Sequence, residues 1–147
     1  MKAFLIAPFL LLAACGAGGA PDVQVTDAWA RETVAGQSGT AAYATIVNRG
    51  SGDDRLLGVS AAAPIAASLH ETITEGGVSS MRPLENGLPI PAGATVALKP
   101  SGAHVMISGL TAPLRAGEDL KLTLRFERSG DKAVSFKVAP AIGGRGH

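Results

Sequence analysis

Residues Leu69 to Met106 read LHETITEGGVSSMRPLENGLPIPAGATVALKPSGAHVM. The signal Glu75-Gly76-Gly77 between two β-type runs predicts a hairpin from Leu69 to Pro83. Two registers are open for this hairpin. With Glu75 and Gly76 at the centre of the turn, His70 lies opposite Met81; with Gly76 and Gly77 there, Met81 faces Thr72 and lies diagonal to His70. Both registers leave His70 and Met81 on one face.

The same stretch gathers the rare sulfur and imidazole donors of the chain. The only other methionine and histidine are the terminal residues Met1 and His147. Turn residues precede the run Ala103 to Ile107, which predicts a second strand in which residues two apart share a side. The candidate site residues are therefore His70, Met81, His104 and Met106.

Two thioethers and two imidazoles form a donor set with a definite preference. Thioether sulfur is soft and uncharged, so it binds Cu(I) well and adds little to a site for Mg²⁺, Ca²⁺ or Zn²⁺. It also forms no disulfide, which suits a compartment where thiols oxidise. A single strand methionine is more often core packing, and a single histidine is more often a surface or hydrogen-bonded residue. The clustering of all four makes a metal site as good an interpretation as packing.

The rest of the chain shows short β-type runs between turn residues and no amphipathic stripe of helical length. Nine strands at this spacing predict an all-β fold, an antiparallel Greek-key β-sandwich over residues 23–140. The predicted strands are Val23–Ala30, Thr40–Asn48, Arg55–Ser60, Ser68–Thr74, Val78–Pro83, Thr95–Leu98, His104–Gly109, Leu120–Arg128 and Ala133–Val138.

Several other features are assigned structural roles. Ala61 to Ala67 is predicted as a loop or single turn because Pro64 interrupts it. Asp53-Asp54 is predicted to lie in an exposed polar loop rather than to bind a hard metal. The formal net charge of +1 lacks the excess of positive charge that is typical of nucleic-acid-binding proteins. The aromatic residues beyond the leader are assigned to core packing: Trp29, Tyr43, Phe126 and Phe136.

The first residues are typical of an export signal. Lys2 precedes an apolar run that is too short to span a bilayer comfortably, and residues 1–15 are predicted to be a signal peptide. Cys15, the only cysteine, closes a sequence that resembles a bacterial lipobox and predicts lipidation at that residue. An ordinary signal cleaved after Gly16 is the alternative. Residues 16–22 are predicted to be a flexible tether with nothing to pack against, and residues 141–147 a disordered tail.

The order His70, ten residues, Met81, twenty-two residues, then His104-Val105-Met106 resembles the signature of the periplasmic copper chaperone family PCuAC. The last gap is one residue longer than the family pattern, a difference that a loop around Pro89 can absorb. Surrounding phrases that agree include Asp27-Ala28-Trp29-Ala30-Arg31, Ile46-Val47-Asn48-Arg49-Gly50 and Gly87-Leu88-Pro89-Ile90-Pro91. The resemblance runs from about Asp27 to about Val138.

This resemblance implies a cupredoxin-like sandwich and a copper chaperone that is not an enzyme. It implies that Cu(I) is bound by His70, Met81, His104 and Met106 and delivered in the periplasm to a copper-requiring protein. The implied acceptor is the binuclear copper site of cytochrome c oxidase, in subunit II, reached directly or through a thiol-bearing carrier of the Sco type. Binding of Cu(II), with help from His147, stays open, as does the oligomeric state.

Three other functions compete with copper delivery. An electron-transfer cupredoxin needs a cysteine ligand, and the sole cysteine lies in the leader. A Ser-His-Asp hydrolase lacks a recognisable nucleophile motif. A metal-free structural or adhesive lipoprotein, acting through protein–protein interaction, is the strongest alternative; it predicts that leucine at Met81 and Met106 leaves activity unchanged.

Overall fold

The computed structural model describes residues 19–141, and this part of the chain consists of ten β-strands joined by turns. No helix in these residues is long and apolar enough to cross a membrane. The predicted signal peptide, Cys15 and its lipidation, and His147 lie outside the described residues. These assignments stay predictions.

The strands follow the predicted pattern closely, with one addition. The short strand β6 was missed because Pro89 marked this stretch as a loop; it pairs with β3 through only three residues. The strands are β1 (Val23–Arg31), β2 (Thr40–Asn48), β3 (Asp54–Ser60), β4 (Ala66–Glu75), β5 (Val78–Pro83), β6 (Leu88–Ile90), β7 (Thr95–Ala97), β8 (Ala103–Ser108), β9 (Asp119–Phe126) and β10 (Gly130–Ala139).

Nine strands form one hydrogen-bonded path in the order β5-β4-β8-β2-β1-β10-β9-β3-β6, and β7 lies off this path, paired to β2. The path folds over on itself, since β3 contacts β4 although the two are not paired. The all-β prediction is confirmed. One pair differs from a purely antiparallel arrangement: β1 and β10 run parallel, and the whole intervening chain forms the crossover between them.

Alternation along the strands decides which side chains form the core. On β9, Leu120, Leu122 and Leu124 are buried. On β8 the inward residues are Val105 and Ile107, both fully buried. Because neighbours in a strand point to opposite faces, His104, Met106 and Ser108 project from the outer face of the sheet.

Three of the four aromatic residues are buried as predicted: Tyr43, Phe126 and Phe136. Trp29 is only partly buried, and both Trp29 and Tyr43 lie outside the central apolar cluster. Tyr43 alternates with the inward residues of β2, so it stands on the outer face, where its ring lies 4.7 Å from that of Trp29. Strand parity, rather than aromatic character, decides their side of the sheet.

The tether prediction is wrong for its described residues, because Gly19 to Asp22 packs against the turn after β2. The side-chain oxygen of the fully buried Asn48 accepts hydrogen bonds from the backbone N–H groups of Asp22 and Gly50, at 3.1 and 3.0 Å. Arg128 donates to the Gly19 carbonyl at 3.1 Å. Gly50 permits the close approach, since a Cβ there would collide with the backbone of this segment.

The prediction that Asp54 lies in an exposed loop is also wrong. It opens β3 as a buried residue and accepts hydrogen bonds from the backbone of Arg55, Arg128 and Ser129 and from the Ser129 hydroxyl. Burial raises the pKa of Asp54, but these hydrogen bonds outweigh burial and leave the pKa below its usual value. The carboxylate ties β3 to the turn between β9 and β10. Asp53 remains exposed, as predicted.

Candidate metal centre

The two interior histidines meet across a strand pair. In the antiparallel register of β4 and β8, His70 stands directly opposite His104. Their ring centroids are 6.2 Å apart and the rings are tilted by 30°. Directly opposed residues project to the same face, so both imidazoles lie on the outer face of the sheet.

The methionines join the same face on either side of this pair. Met106 lies two residues beyond His104 on β8 and faces Ser68 of β4. Met81, on the edge strand β5, faces Thr72, which is two residues beyond His70 on β4. This register has Gly76 and Gly77 in the turn and is the diagonal one of the two predicted. The four candidate residues thus share one face of the β5-β4-β8 surface, with the two methionines on opposite sides of the histidine pair.

A turn before β8 holds the His104 imidazole. Residues Lys99 to Gly102 form this turn, which is closed by a hydrogen bond from the Gly102 N–H to the Lys99 carbonyl. The Gly102 carbonyl accepts from the Thr72 N–H at 3.2 Å and lies 3.0 Å from Nδ1 of His104. A carbonyl can only accept, so Nδ1 carries the hydrogen and Nε2 keeps a free lone pair. The contact with Gly102 therefore leaves Nε2 as the nitrogen of His104 that is available to a ligand.

His70 makes a different hydrogen bond. Its Nε2 atom lies 3.0 Å from the Ser68 hydroxyl, which can either donate or accept. Sequence reasoning missed both Ser68 and Gly102 as partners of the histidines. The signal for Ser68 was its place two residues before His70, since such residues share a face in a strand. Gly102 acts through its backbone carbonyl, which side-chain alternation does not reveal.

Exposure changes steeply across the site. The His104 side is enclosed, with the residue 4% exposed, whereas Met81 on the sheet edge is 54% exposed. Continuing the register of β2 and β8 by one residue brings the buried Tyr43 level with His104. Burial raises the pKa of Tyr43, an effect that the Arg31 guanidinium near its ring partly offsets. The site therefore has one buried wall and one face open to solvent.

Thioethers and neutral imidazoles carry no charge, and the charged side chain next to His70 does not share their face. Glu71, which neighbours His70, points to the opposite face and pairs with Arg82 at 2.7 Å. Within residues 19–141, no group of three or more His, Cys, Asp or Glu side chains could hold a metal ion. A soft ion of low charge fits the neutral donor set on this face.

Comparison with known proteins places this arrangement in a family. A family model described as "Putative lipoprotein LpqE-like" matches residues 23–138, which include every strand that contributes to the site. The chain belongs to the LpqE-like family of PCuAC-type proteins. The sequence-based family prediction is confirmed.

A curated relative of this LpqE-like chain comes from Leifsonia xyli subsp. xyli. It is named "Putative lipoprotein Lxx21020", is 40% identical over 119 residues, and the match covers 81% of this chain and 70% of the relative.

Solved structures similar to this LpqE-like chain are PCuAC domains and related proteins. The solution structure of apo-DR1885 from Deinococcus radiodurans is 32% identical with a TM-score of 0.63, covering 99% of this chain and 97% of that one. The solution structure of CuI-DR1885 from the same organism is 29% identical with a TM-score of 0.60, and the match covers 90% of this chain and 87% of that one. The copper-bound PCuAC domain from PmoF2 has a TM-score of 0.65 at 22% identity, covering 80% and 92%, and shows the fold alone. The cupredoxin-like fold class is confirmed.

Proposed function

We propose that this protein is a copper chaperone that binds one Cu(I) through His70, Met81, His104 and Met106. The observation that supports the proposal is the outer face of β5-β4-β8 that the four donor residues share in the β4–β8 and β4–β5 registers. The similarity to CuI-DR1885 supports copper as the cargo. The absence of a charged ligand matches a soft monovalent ion better than a hard divalent one.

The exposure gradient suits transfer of the ion rather than permanent storage. His104 and Met106 stand on the central part of the sheet, with His104 preorganised by Gly102. Met81 stands on the edge strand and is half exposed, so an incoming ligand from another protein can replace its thioether. Copper leaves by exchange of ligands, and no covalent bond of the protein is made or broken.

Delivery is proposed to take place in the periplasm, with the chain exported as a lipoprotein anchored through Cys15. The lipoprotein name of the Leifsonia relative and the family description support export and lipidation. The proposed acceptor is the binuclear copper site of cytochrome c oxidase subunit II, reached directly or through a Sco-type thiol carrier. Neutral thioether ligands favour a thiolate acceptor, because thiolate binds Cu(I) more strongly than thioether.

A titration of the mature protein against a Cu(I) chelator tests the proposal. We expect one Cu(I) per chain, and we expect Met81→Leu combined with Met106→Leu to weaken binding by at least about 100-fold with an unchanged fold, because leucine matches methionine in volume without sulfur. Glu71→Gln is the matched control, since Glu71 adjoins His70 but points to the other face. Equal affinity in the double variant and the wild type would favour the metal-free adhesive lipoprotein instead.

A further inference from the structure

Ser68 occupies a special place in the candidate metal centre. It stands directly opposite Met106 in the β4–β8 register, and its hydroxyl lies 3.0 Å from Nε2 of His70. Ser68 is exposed, so its hydroxyl has water available and does not need the imidazole for burial. The contact therefore has little to do with stability and bears on which atoms of His70 are available.

The hydrogen bonds of the two rings show which nitrogen of each imidazole is engaged. The two nitrogens of an imidazole point in widely different directions. His104 directs Nδ1 at the Gly102 carbonyl, so its Nε2 points away from Gly102, the side on which Met106 follows along β8. His70 directs Nε2 at Ser68, the residue that faces Met106. Nε2 of His70 is thus engaged by the residue that stands opposite Met106, whereas Nε2 of His104 is the nitrogen that Gly102 leaves free.

We propose that Ser68 is a positioning residue whose hydroxyl donates to Nε2 of His70 in the metal-free protein and yields that nitrogen to Cu(I). The inference rests on the copper-binding function proposed above. On loading, the lone pair of Nε2 leaves the O–H···N hydrogen bond and forms the bond to copper, while the hydroxyl turns to water. His70 keeps its hydrogen on Nδ1 throughout, so no proton is released from the ring.

This exchange lowers the affinity for copper and eases its release. Binding must break a hydrogen bond, and departure of the ion restores that bond, so the net strength of one neutral hydrogen bond is subtracted from the binding free energy. Removing the hydroxyl should then tighten Cu(I) binding by about 3- to 10-fold. If Ser68 instead accepted a hydrogen bond from Nε2–H while copper bound Nδ1, removing its hydroxyl would weaken Cu(I) binding.

The first test is a Cu(I) competition titration on the wild type, Ser68→Ala and Ser68→Thr. We expect tighter binding and slower release to the chelator in Ser68→Ala, and affinity close to wild type in Ser68→Thr, which keeps a hydroxyl. Ser80→Ala is the matched control, because it makes the same change on the opposite face of the β4–β5 hairpin. Unchanged or weaker binding in Ser68→Ala overturns the inference alone, whereas a wild type that binds no Cu(I) overturns the proposed function as well.

The second test uses the metal-free protein and does not depend on copper. Long-range ¹⁵N NMR assigns the tautomer of each histidine, and we expect hydrogen on Nδ1 in both His70 and His104 of the wild type. Ser68→Ala should shift His70 towards the Nε2–H tautomer and leave His104 unchanged. A wild-type His70 with its hydrogen on Nε2 would overturn the inference, because Ser68 would then be the acceptor.

Discussion

His70 of β4 and His104 of β8 are direct cross-strand partners, with ring centroids 6.2 Å apart. The two imidazoles nevertheless have different hydrogen-bond partners, a side-chain hydroxyl for His70 and a backbone carbonyl for His104. The Gly102 carbonyl can only accept from His104, whereas the Ser68 hydroxyl has both roles open to it. One ring is therefore fixed by the backbone, while the other is held by a side chain that can rotate away.

The two methionines should contribute unequally to copper binding. Met81 is 54% exposed on the edge strand β5, whereas Met106 is partly buried on β8. Ordering an exposed, flexible side chain costs more entropy, so Met106→Leu should weaken Cu(I) affinity more than Met81→Leu, by about 3- to 10-fold. Chelator competition on the two single variants measures the difference. An equal or reversed ranking would contradict the idea that β8 supplies the preorganised half of the site.

The only tryptophan of the chain should report on copper loading. Trp29 lies 4.7 Å from Tyr43, which the register of β2 and β8 brings level with His104. We expect the fluorescence of Trp29 to fall as Cu(I) is added, saturating at one equivalent. His104→Ala should abolish the saturable change, and Glu71→Gln should retain it. If copper binds the wild type and the fluorescence of Trp29 stays constant, the prediction that Trp29 and Tyr43 adjoin the copper site is contradicted.

Asp54 should control stability in acid. Its folded pKa is depressed, so its stabilising effect is fully present above the unfolded value of 3.8 and disappears as the pH falls through the lower folded value. Asp54→Asn should reduce the free energy of unfolding by about 1.5–3 kcal/mol at neutral pH, because charge-assisted hydrogen bonds are lost. Urea unfolding at several pH values measures this effect. The difference between variant and wild type should shrink in acid, and a constant difference would contradict the assignment.

Gly50 should be required for docking of the segment from Gly19 to Asp22. A Cβ at Gly50 would collide with the backbone of that segment, so Gly50→Ala should lower the free energy of unfolding by about 1–3 kcal/mol. Gly58→Ala is the control, since nothing lies within 4 Å of a Cβ built there. Thermal unfolding of both variants decides the matter. Equal stability would mean that the segment is free to move away from the turn.

Much of the fold could be predicted from local sequence. The bounds of β2 and β5 were predicted to the residue, because alternating runs end at clear turn residues. The missed strand β6 and the buried Asp54 depend on partners distant in sequence, which local patterns do not reveal. The side of the sheet on which Tyr43 is buried also escaped the prediction, because it stands on the outer face next to Trp29.

The sequence by itself determined the four candidate donors and the period-two spacing that pairs His104 with Met106 on one side of a strand. Only the tertiary structure decided between the two hairpin registers, aligned His70 with His104, and placed the donors on the outer face rather than in the core. The physical reason is that alternation specifies which residues share a face, whereas hydrogen-bond register between strands far apart in sequence depends on closing the whole sheet. The hydrogen bonds of Ser68 and Gly102 to the imidazoles belong to that second category.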